Sequence, residues 1–320
     1  MLTVIIGHCV NFWTGTWFTV LTPLEEAYPL KLLSELVNAF HIYAFALVSG
    51  FLFCYLRTEL GKYQNFTMFC VTKAKRLLIP YVFICLIWVI PVAIYFNHYS
   101  GIELIKRYVL GTNPNQLWFL LMLFWVFMFA WPLSNIFCKH VILSGGIVLG
   151  FYCVGVVGNH FIPNVYCIWT GCEYLLFFWI GFQMYNKNDL FRRIPAFLWD
   201  AVFAVLFCIL TFTQAFGMIS SILTIVLHIT GAIGAFATLQ WIALKINWKN
   251  SKVFLFLAKR SMPIYLFHQQ VIYFVIFWLN GKVNPYVNAA ANFVIAMAVS
   301  VLISSILMKF KVTRFLIGEK

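Results

Sequence analysis

Charged residues are scarce in this sequence: only 10% of its 320 residues are Asp, Glu, Lys or Arg, whereas 63% are hydrophobic. Soluble domains are roughly 25% charged and 45–50% apolar, so this chain has more apolar surface than a soluble core can bury. Acidic residues are the scarcest, with nine against 22 basic residues. A basic excess in membrane loops has a cause other than nucleic acid binding. The composition predicts an integral membrane protein whose partner is the lipid bilayer, with no role for nucleic acid.

Several common catalytic and binding motifs are also missing. The sequence has no HExxH and no paired CxxC, and its histidines lie on different apolar runs, so we predict no metal site. Its nine cysteines are scattered and odd in number, which argues against a complete disulfide framework. There is no GxSxG around Ser49, which we interpret as a packing residue, and no GxxxxGK[ST] loop. We therefore expect no bound cofactor, and any phosphorylated substrate must be held by side chains.

Targeting signals and internal repeats are absent as well. Met1 leads directly into an apolar run without a positively charged n-region, so we expect an uncleaved first helix. The pattern of residues 40–81 does not recur in the second half, as it would in a duplicated transporter. We predict one domain over residues 1–320.

Ten apolar runs approach the ~20 residues that a membrane helix requires. We predict spans at 1–20, 38–56, 77–96, 116–133, 141–158, 166–185, 196–215, 219–244, 262–280 and 286–309. Glycines weaken the fifth span, and Gly171 with Glu173 interrupts the sixth. The predicted fold class is all-α: a polytopic membrane protein with about ten transmembrane helices in one bundle.

The stretch 40–81 has the clearest pattern in the chain. An apolar helix begins near His41, and Ser49 and Gly50 thin it where a neighbouring helix could approach closely. A strongly basic segment, 57–76, then precedes the third span, and we expect Pro80 to shape the start of that span.

The positions of the basic residues predict the orientation. With these spans, eighteen of the 22 Lys and Arg residues fall in alternate loops and the C-terminal tail, and four fall on the other side. Cytoplasmic loops are enriched in positive residues, so both termini are predicted to be cytoplasmic. Cysteine probes at Asn65 and Asn188 should react from the cytoplasm, and probes at Ser100 and Asn159 from outside.

Ionisable side chains inside spans are costly and are therefore candidates for function. Four such residues are His8, His41, Glu173 and His268. His8 and His41 lie on antiparallel spans and could reach a similar depth, and Glu173 could be a carboxylate that tunes them. A neutral histidine can act as a general base or accept an acyl group. The alternative is that each histidine only binds a backbone carbonyl.

Basic residues at the predicted cytoplasmic ends of spans could hold an anionic substrate. Lys73, Lys75 and Arg76 precede the third span, and Lys259 and Arg260 precede the ninth. Lysine and arginine both bind phosphates, arginine through two parallel bonds. The alternative is that these residues serve only to orient the chain.

Five segments together resemble the bacterial integral-membrane acyltransferases called acyltransferase family 3. They are VIIGHC around His8, FHIYAFALVSGFLF from Phe40, KAKRLLIPY from Lys73, LWFLLMLFW from Leu117 and SMPIYLFHQ from Ser261. The sixth span, YLLFFWIGFQMY, is similar to a family span as well. The resemblance implies a ten-span enzyme of the bacterial plasma membrane in which the first-span histidine, here His8, is catalytic.

The resemblance also implies the substrates. The family transfers an acyl group from cytoplasmic acyl-CoA, here most simply acetyl-CoA, to a hydroxyl of a cell-surface polysaccharide or a lipid-linked saccharide. Family members usually carry a basic residue about ten positions before that histidine, whereas Met1 lies only seven positions before His8. Either the true start lies upstream of Met1, or other basic residues hold the donor phosphates, with Arg76 as the leading candidate.

Two other classes of protein fit the same composition. A transporter or flippase of a glycan or lipid-linked saccharide would also need a polar path and basic cytoplasmic loops. The missing repeat and the small number of charged residues in the spans argue against that class. A structural membrane subunit is the third possibility.

Overall fold

A computed structural model of the protein describes residues 1–187, 191, 193–213, 217–246, 248 and 251–319. The proposed probe position Asn188 and part of the predicted loop 186–195 lie outside these residues. The described residues form helices and connecting loops, with no β-strand among them. The α-helices, in chain order, are α1 Leu2–Val10, α2 Tyr28–Asn38, α3 His41–Thr58, α4 Phe66–Ile84, α5 Ile90–Asn97, α6 Gly101–Leu104, α7 Trp118–Lys139, α8 Val141–Phe161, α9 Ile168–Asn186, α10 Ala196–Phe212, α11 Met218–Lys245, α12 Lys252–Lys259, α13 Ser261–Leu279, α14 Pro285–Leu307 and α15 Lys311–Leu316.

Short helical segments of other types extend some of these helices. One turn of 3₁₀-helix, Asn11–Thr14, continues α1, and others precede α7 and α9. A π-helix, Cys85–Val89, joins α4 to α5 into one long apolar rod, and a second, Ile105–Val109, follows α6.

The structure confirms a polytopic all-α membrane protein. Eight of the described helical stretches are long and apolar enough to cross a membrane: Tyr28–Thr58, Phe66–Asn97, Asn115–Lys139, Val141–Phe161, Val165–Asn186, Met218–Lys245, Ser261–Leu279 and Pro285–Leu307. Two shorter apolar helices, Leu2–Thr14 and Ala196–Phe212, coincide with the predicted first and seventh spans. The first is shorter than predicted because Gly15 ends it with a left-handed backbone conformation (φ 78°).

The predicted boundary of the third span is wrong. The helix begins at Phe66, because Asn65 caps it by accepting a hydrogen bond from the backbone N–H of Met68 (3.0 Å). Lys73, Lys75 and Arg76 therefore lie on the helix instead of in a loop, and Pro80 lies inside the helix instead of at its start.

The described residues divide into two compact units. The first comprises Met1–Asn38, Ala74–Leu121 and Lys249–Lys320. In this unit α14 packs against α13 and α1. Its apolar core includes the fully buried side chains of Ile5, Phe12, Ile264, Ile272 and Ile276.

The second unit comprises Ala39–Lys73 and Met122–Trp248. Its central contact is between α3 and α9, where two glycines let the backbones touch. A Cβ atom added to Gly50 would lie 1.8 Å from the carbonyl oxygen of Phe178, and one added to Gly181 would lie 1.8 Å from that of Leu47. The close approach predicted at Gly50 is therefore present.

Candidate functional site

His8 and His268 come together inside the first unit. His8 lies near the end of α1 and is half-buried, and His268 lies in the middle of α13 with 0% of its surface exposed. Their ring centroids are 5.0 Å apart with the rings nearly perpendicular. The chain turns at Gly15, and Trp17 follows it with its ring centroid 5.4 Å from that of His8. His8 thus sits between a buried histidine and an aromatic ring.

The backbone of α13 determines the tautomer of neutral His268. Its Nδ1 lies 2.8 Å from the carbonyl oxygen of Tyr265 and 3.2 Å from that of Ile264. Carbonyl oxygens only accept hydrogen bonds, so Nδ1 of a neutral His268 carries the proton. Its Nε2 then presents a lone pair, and this atom has no hydrogen-bond partner among the described residues.

Helix α13 carries other buried polar side chains next to His268 in the sequence. Gln270 and Gln116 form a reciprocal carboxamide pair with bonds of 2.7 and 3.0 Å, and the Tyr265 hydroxyl donates to the backbone carbonyl of Gln116. The Gln269 side chain bonds the hydroxyl of Tyr273. Our sequence analysis named His268 but overlooked the adjacent glutamines. The signal was present, because three consecutive polar residues inside an apolar span are unusual.

A second polar cluster lies one turn beyond His8. Asn11 is buried, and its Oδ1 accepts hydrogen bonds from the Ser34 hydroxyl (2.5 Å) and from Nδ2 of Asn38 (2.8 Å). These bonds join the end of α1 to α2. They fix the segment that carries His8, and sequence analysis missed them because the partners are 23 and 27 residues apart.

Unsatisfied polar atoms are concentrated on α13 and α14. Buried atoms without a hydrogen-bond partner among the described residues include His268 Nε2, Gln269 Oε1, Asn288 Oδ1, Asn292 Oδ1 and Ser300 Oγ. Each such atom costs about 1–3 kcal/mol, and native proteins usually pair these atoms with water or ligand. Nδ2 of Asn292 lies 3.5 Å from the carbonyl oxygen of Cys9, next to His8 in the chain. The interior of the first unit is therefore suited to a polar ligand.

The other two predicted catalytic residues, His41 and Glu173, belong to the second unit. His41 is the first residue of α3 and is buried. Glu173, on α9, accepts a hydrogen bond of 2.5 Å from Nδ2 of Asn159, and its Cγ lies where a side chain at Gly155 would clash. The glycine that appeared to weaken the fifth span thus makes room for this carboxylate. The catalytic roles of His41 and Glu173 stay predictions.

The second unit contains two ionisable residues that sequence analysis missed. His228, on α11, has its Nδ1 2.8 Å from the carbonyl oxygen of Ala39, and its ring stacks on Tyr43 with centroids 4.0 Å apart. Asp200, on α10, accepts a hydrogen bond of 2.6 Å from Thr238. Both residues lie inside predicted spans, so their position alone could have identified them. Their partners indicate that they join helices.

The five predicted phosphate-binding residues differ in their surroundings. Lys73 is only 8% exposed, and its ammonium nitrogen lies 3.4 Å from the centroid of the Phe127 ring and 5.0 Å from that of Tyr63. A cation over aromatic faces is stabilised by the ring quadrupoles. Lys73 therefore packs inside the second unit, and its predicted role in donor binding stays a prediction.

Lys75 and Arg76 are exposed. The C-terminal segment approaches Arg76, since a Cβ atom at Gly318 would lie 2.8 Å from the Arg76 carbonyl oxygen. Burial raises the pKa of the neighbouring Glu319 carboxyl, and the positive charge of Arg76 acts in the opposite direction. Arg76 is thus exposed and lies near an acidic group.

Lys259 and Arg260 lie at the junction of α12 and α13 and belong, like Lys75 and Arg76, to the first unit. Arg260 donates through Nε to the Ser305 hydroxyl (3.3 Å), and its guanidinium lies 3.7 Å from the centroid of the Phe256 ring. These contacts hold the arginine at the end of α14, the helix that carries Asn288 and Asn292.

Neither metal ligands nor the open groove indicate another site. No group of three or more His, Cys, Asp or Glu side chains that could hold a metal occurs among the described residues. A groove of about 550 Å³ lies between α12 and α14, with Lys252 as its only charged residue and apolar side chains such as Phe256 and Met297 elsewhere. The cluster around His8 and His268 is therefore the candidate active site.

Comparison with known proteins agrees with the resemblance. The family model described as "Acyltransferase domain", that of the acyltransferase 3 family, matches residues 1–309. No curated protein and no solved structure matches the chain.

Proposed function

We propose, from the premise that this chain belongs to the acyltransferase 3 family and is a membrane acyltransferase, that it acylates a surface glycan. The donor is cytoplasmic acyl-CoA, most simply acetyl-CoA, and the acceptor is a hydroxyl of a cell-surface polysaccharide or its lipid-linked precursor. The observation that supports this proposal best is the half-buried imidazole of His8 in a polar interior, at the position of the family's catalytic histidine.

In the proposed reaction His8 acts as a general base. Its unprotonated ring nitrogen takes the proton of the acceptor hydroxyl, and the oxygen attacks the thioester carbonyl carbon. A C–O bond forms, the C–S bond breaks, and the proton passes from His8 to the departing thiolate. In the alternative route the same nitrogen first accepts the acyl group and then passes it to the hydroxyl. The orienting or tuning roles of His41 and Glu173 stay predictions from the sequence.

Basic side chains of the first unit hold the donor in this proposal. Lys75 and Arg76 are exposed on α4, and Lys259 with Arg260 flanks the start of α13. The phosphates of acyl-CoA are anionic, and arginine can bind a phosphate oxygen pair with two parallel bonds. Lys73 is the weakest of the predicted donor ligands because Phe127 and Tyr63 cover its ammonium group.

The orientation belongs to the same proposal. The basic bias places both termini and the donor-binding side chains in the cytoplasm of a cell whose plasma membrane contains the protein. In a cysteine-free background, Asn65→Cys should be protected from an impermeant thiol reagent in intact cells, and Ser100→Cys should be labelled. The opposite pattern would contradict the orientation, and with it the binding of cytoplasmic acyl-CoA by these side chains.

The test of function is acyl transfer by the purified protein in lipid nanodiscs. We expect it to release free thiol from acetyl-CoA, and faster when an oligosaccharide acceptor is added. The same preparation in liposomes tests the rival function, because a flippase would move a labelled lipid-linked saccharide across the bilayer without consuming acyl-CoA. Saccharide movement with no thiol release would overturn the acyltransferase proposal.

A further inference from the structure

His268 carries a buried hydrogen-bond acceptor that the fold leaves unused. The residue is 0% exposed, and its Nε2 has no partner among the described residues. A buried acceptor of this kind requires an explanation, since native structures satisfy most buried polar atoms. Neither the carboxamide pair of Gln270 with Gln116 nor the bond between Gln269 and Tyr273 supplies a partner for it.

The tautomer of His268 is fixed independently of any substrate. Two backbone carbonyls of α13, those of Ile264 and Tyr265, lie within hydrogen-bond distance of Nδ1 and accept from it. The helix therefore holds the proton on Nδ1 and the lone pair on Nε2. This arrangement resembles the usual orientation of a functional histidine, in which one ring nitrogen is anchored and the other is available.

His8 is the histidine whose ring contacts that of His268, and a neutral imidazole carries one N–H that it can donate. The two ring centroids are 5.0 Å apart with an interplanar angle of 70°, so the edge of one ring approaches the other. His8 is half-buried, while His268 is completely buried. One side of His8 can therefore meet a substrate while another side meets His268. Catalytic hydrogen bonds are often long before substrate binds and shorten in the reactive complex.

We propose that His268 is the positioning residue of His8. On substrate binding, Nε2 of His268 accepts a hydrogen bond from one ring N–H of His8, directly or through one water molecule. This bond leaves the other nitrogen of His8 unprotonated and directed at the acceptor hydroxyl. The inference rests on the proposed function, in which His8 is the reacting group.

The proton balance follows from this arrangement. When His8 takes the hydroxyl proton it becomes an imidazolium, and the bond to Nε2 of His268 shares that charge. The proton then goes from the reacting nitrogen of His8 to the departing CoA thiolate. His8 returns to its starting tautomer because His268 still accepts from its other nitrogen. The role matches that of the third group that orients a catalytic base in other enzymes.

The test compares two substitutions that differ only in reach. In His268→Asn the shorter amide can still donate to the α13 carbonyls, but it has no acceptor at the position of Nε2. In His268→Gln a carboxamide oxygen reaches that position. We expect kcat to fall by about 10²-fold in the Asn variant, with KM for acetyl-CoA unchanged, because positioning of a general base affects turnover. The Gln variant should recover part of that loss, about 10-fold.

Thr230→Val is the control. It removes a buried hydroxyl that bonds carbonyls of its own helix in the second unit, whereas His8 and His268 belong to the first. It should keep the wild-type kcat. Equal impairment of the Asn and Gln variants at normal abundance would indicate a packing role and overturn the proposal, as would a fully active Asn variant.

Two further measurements separate the possible failures. Turnover by His8→Asn would refute the site of the proposed function, whereas an inactive His8→Asn beside a fully active His268→Asn would refute only the role of His268. If the His268 variants do not accumulate, ¹⁵N NMR of histidine-labelled protein, recorded with the oligosaccharide acceptor bound, decides the question. Replacing His8 by Asn should then move one unprotonated ring nitrogen from the hydrogen-bonded to the free range. An unchanged spectrum for that nitrogen would contradict the proposal.

Discussion

The two compact units differ in their most prominent buried contacts. The first unit buries polar side chains, among them His268, Gln270 and Asn292, and leaves several of their atoms without partners among the described residues. The second unit brings the backbones of α3 and α9 into contact at Gly50 and Gly181. It surrounds that contact with phenylalanine rings at centroid distances of 5.5–5.7 Å: Phe53, Phe69, Phe127 and Phe178.

The difference indicates where stability and where chemistry reside. Close packing of small residues is the main stabilising interaction available to helices in lipid, where hydrophobic burial contributes little. Buried polar atoms without partners destabilise a fold, so their persistence needs a functional reason. Substitutions at the contact between α3 and α9 should therefore reduce the amount of folded protein, and substitutions of His8 and His268 should reduce activity.

The largest effect is expected at the glycine contact. In Gly50→Leu and Gly181→Leu the new Cβ would overlap a carbonyl oxygen of the facing helix, so we expect almost no folded protein. Gly150→Leu is the control, because no atom lies within 4 Å of its added Cβ. Fluorescence-detected size-exclusion chromatography measures the folded fraction. A monodisperse Gly50→Leu protein at the wild-type level would contradict the close approach of α3 and α9.

Arg76 should show a smaller effect, on donor binding alone. Hydrogen bonds to charged groups contribute about 1.5–3 kcal/mol, so Arg76→Ala should raise KM for acyl-CoA by about 10- to 100-fold. Arg76→Lys should restore part of that loss because lysine keeps the charge but not the fork. Arg107→Ala, which removes an arginine stacked on Tyr99, is the control and should leave KM unchanged. An unchanged KM in Arg76→Ala would place the donor phosphates elsewhere.

The smallest effect is expected at Lys73. This residue and Lys75 lie on the same helix, α4, but belong to different units. Cation–π contacts contribute about 0.5–2 kcal/mol, so Lys73→Met should lower the thermal unfolding midpoint slightly and leave KM for acyl-CoA unchanged. Lys75→Met, two residues further along α4, should leave the unfolding midpoint unchanged and raise KM for acyl-CoA. If Lys73→Met raised KM tenfold at normal stability, Lys73 would be a donor ligand after all.

Local patterns in the sequence were sufficient to predict much of this molecule. The apolar runs located the helices, because a membrane helix needs a long uninterrupted stretch of apolar residues. The small size of Ser49 and Gly50 was sufficient to predict a close helix contact at this position. Asn65 is a typical capping residue, but the sequence analysis did not predict that α4 begins after it. The basic residues that follow Asn65 were interpreted as part of a loop.

Contacts distant in the chain could not be predicted in the same way. His8 and His268 are 260 residues apart, and no local pattern indicates that α1 and α13 pack together. The lysine at position 73 looked like its neighbours at 75 and 76 until Phe127, on α7, was seen to cover it. Residue type gave the candidates, and tertiary packing separated those with chemical access from those with a structural role.

The central claim is that His8, in the polar interior of the first unit, performs acyl transfer. The most direct measurement is thiol release from acetyl-CoA by purified His8→Ala, with Cys9→Ala as the control at the adjacent position of α1. We predict that His8→Ala loses at least ~10²-fold in kcat at the wild-type level of folded protein, the low end of general acid–base contributions, while Cys9→Ala stays active. Turnover near the wild-type rate in His8→Ala would contradict the account.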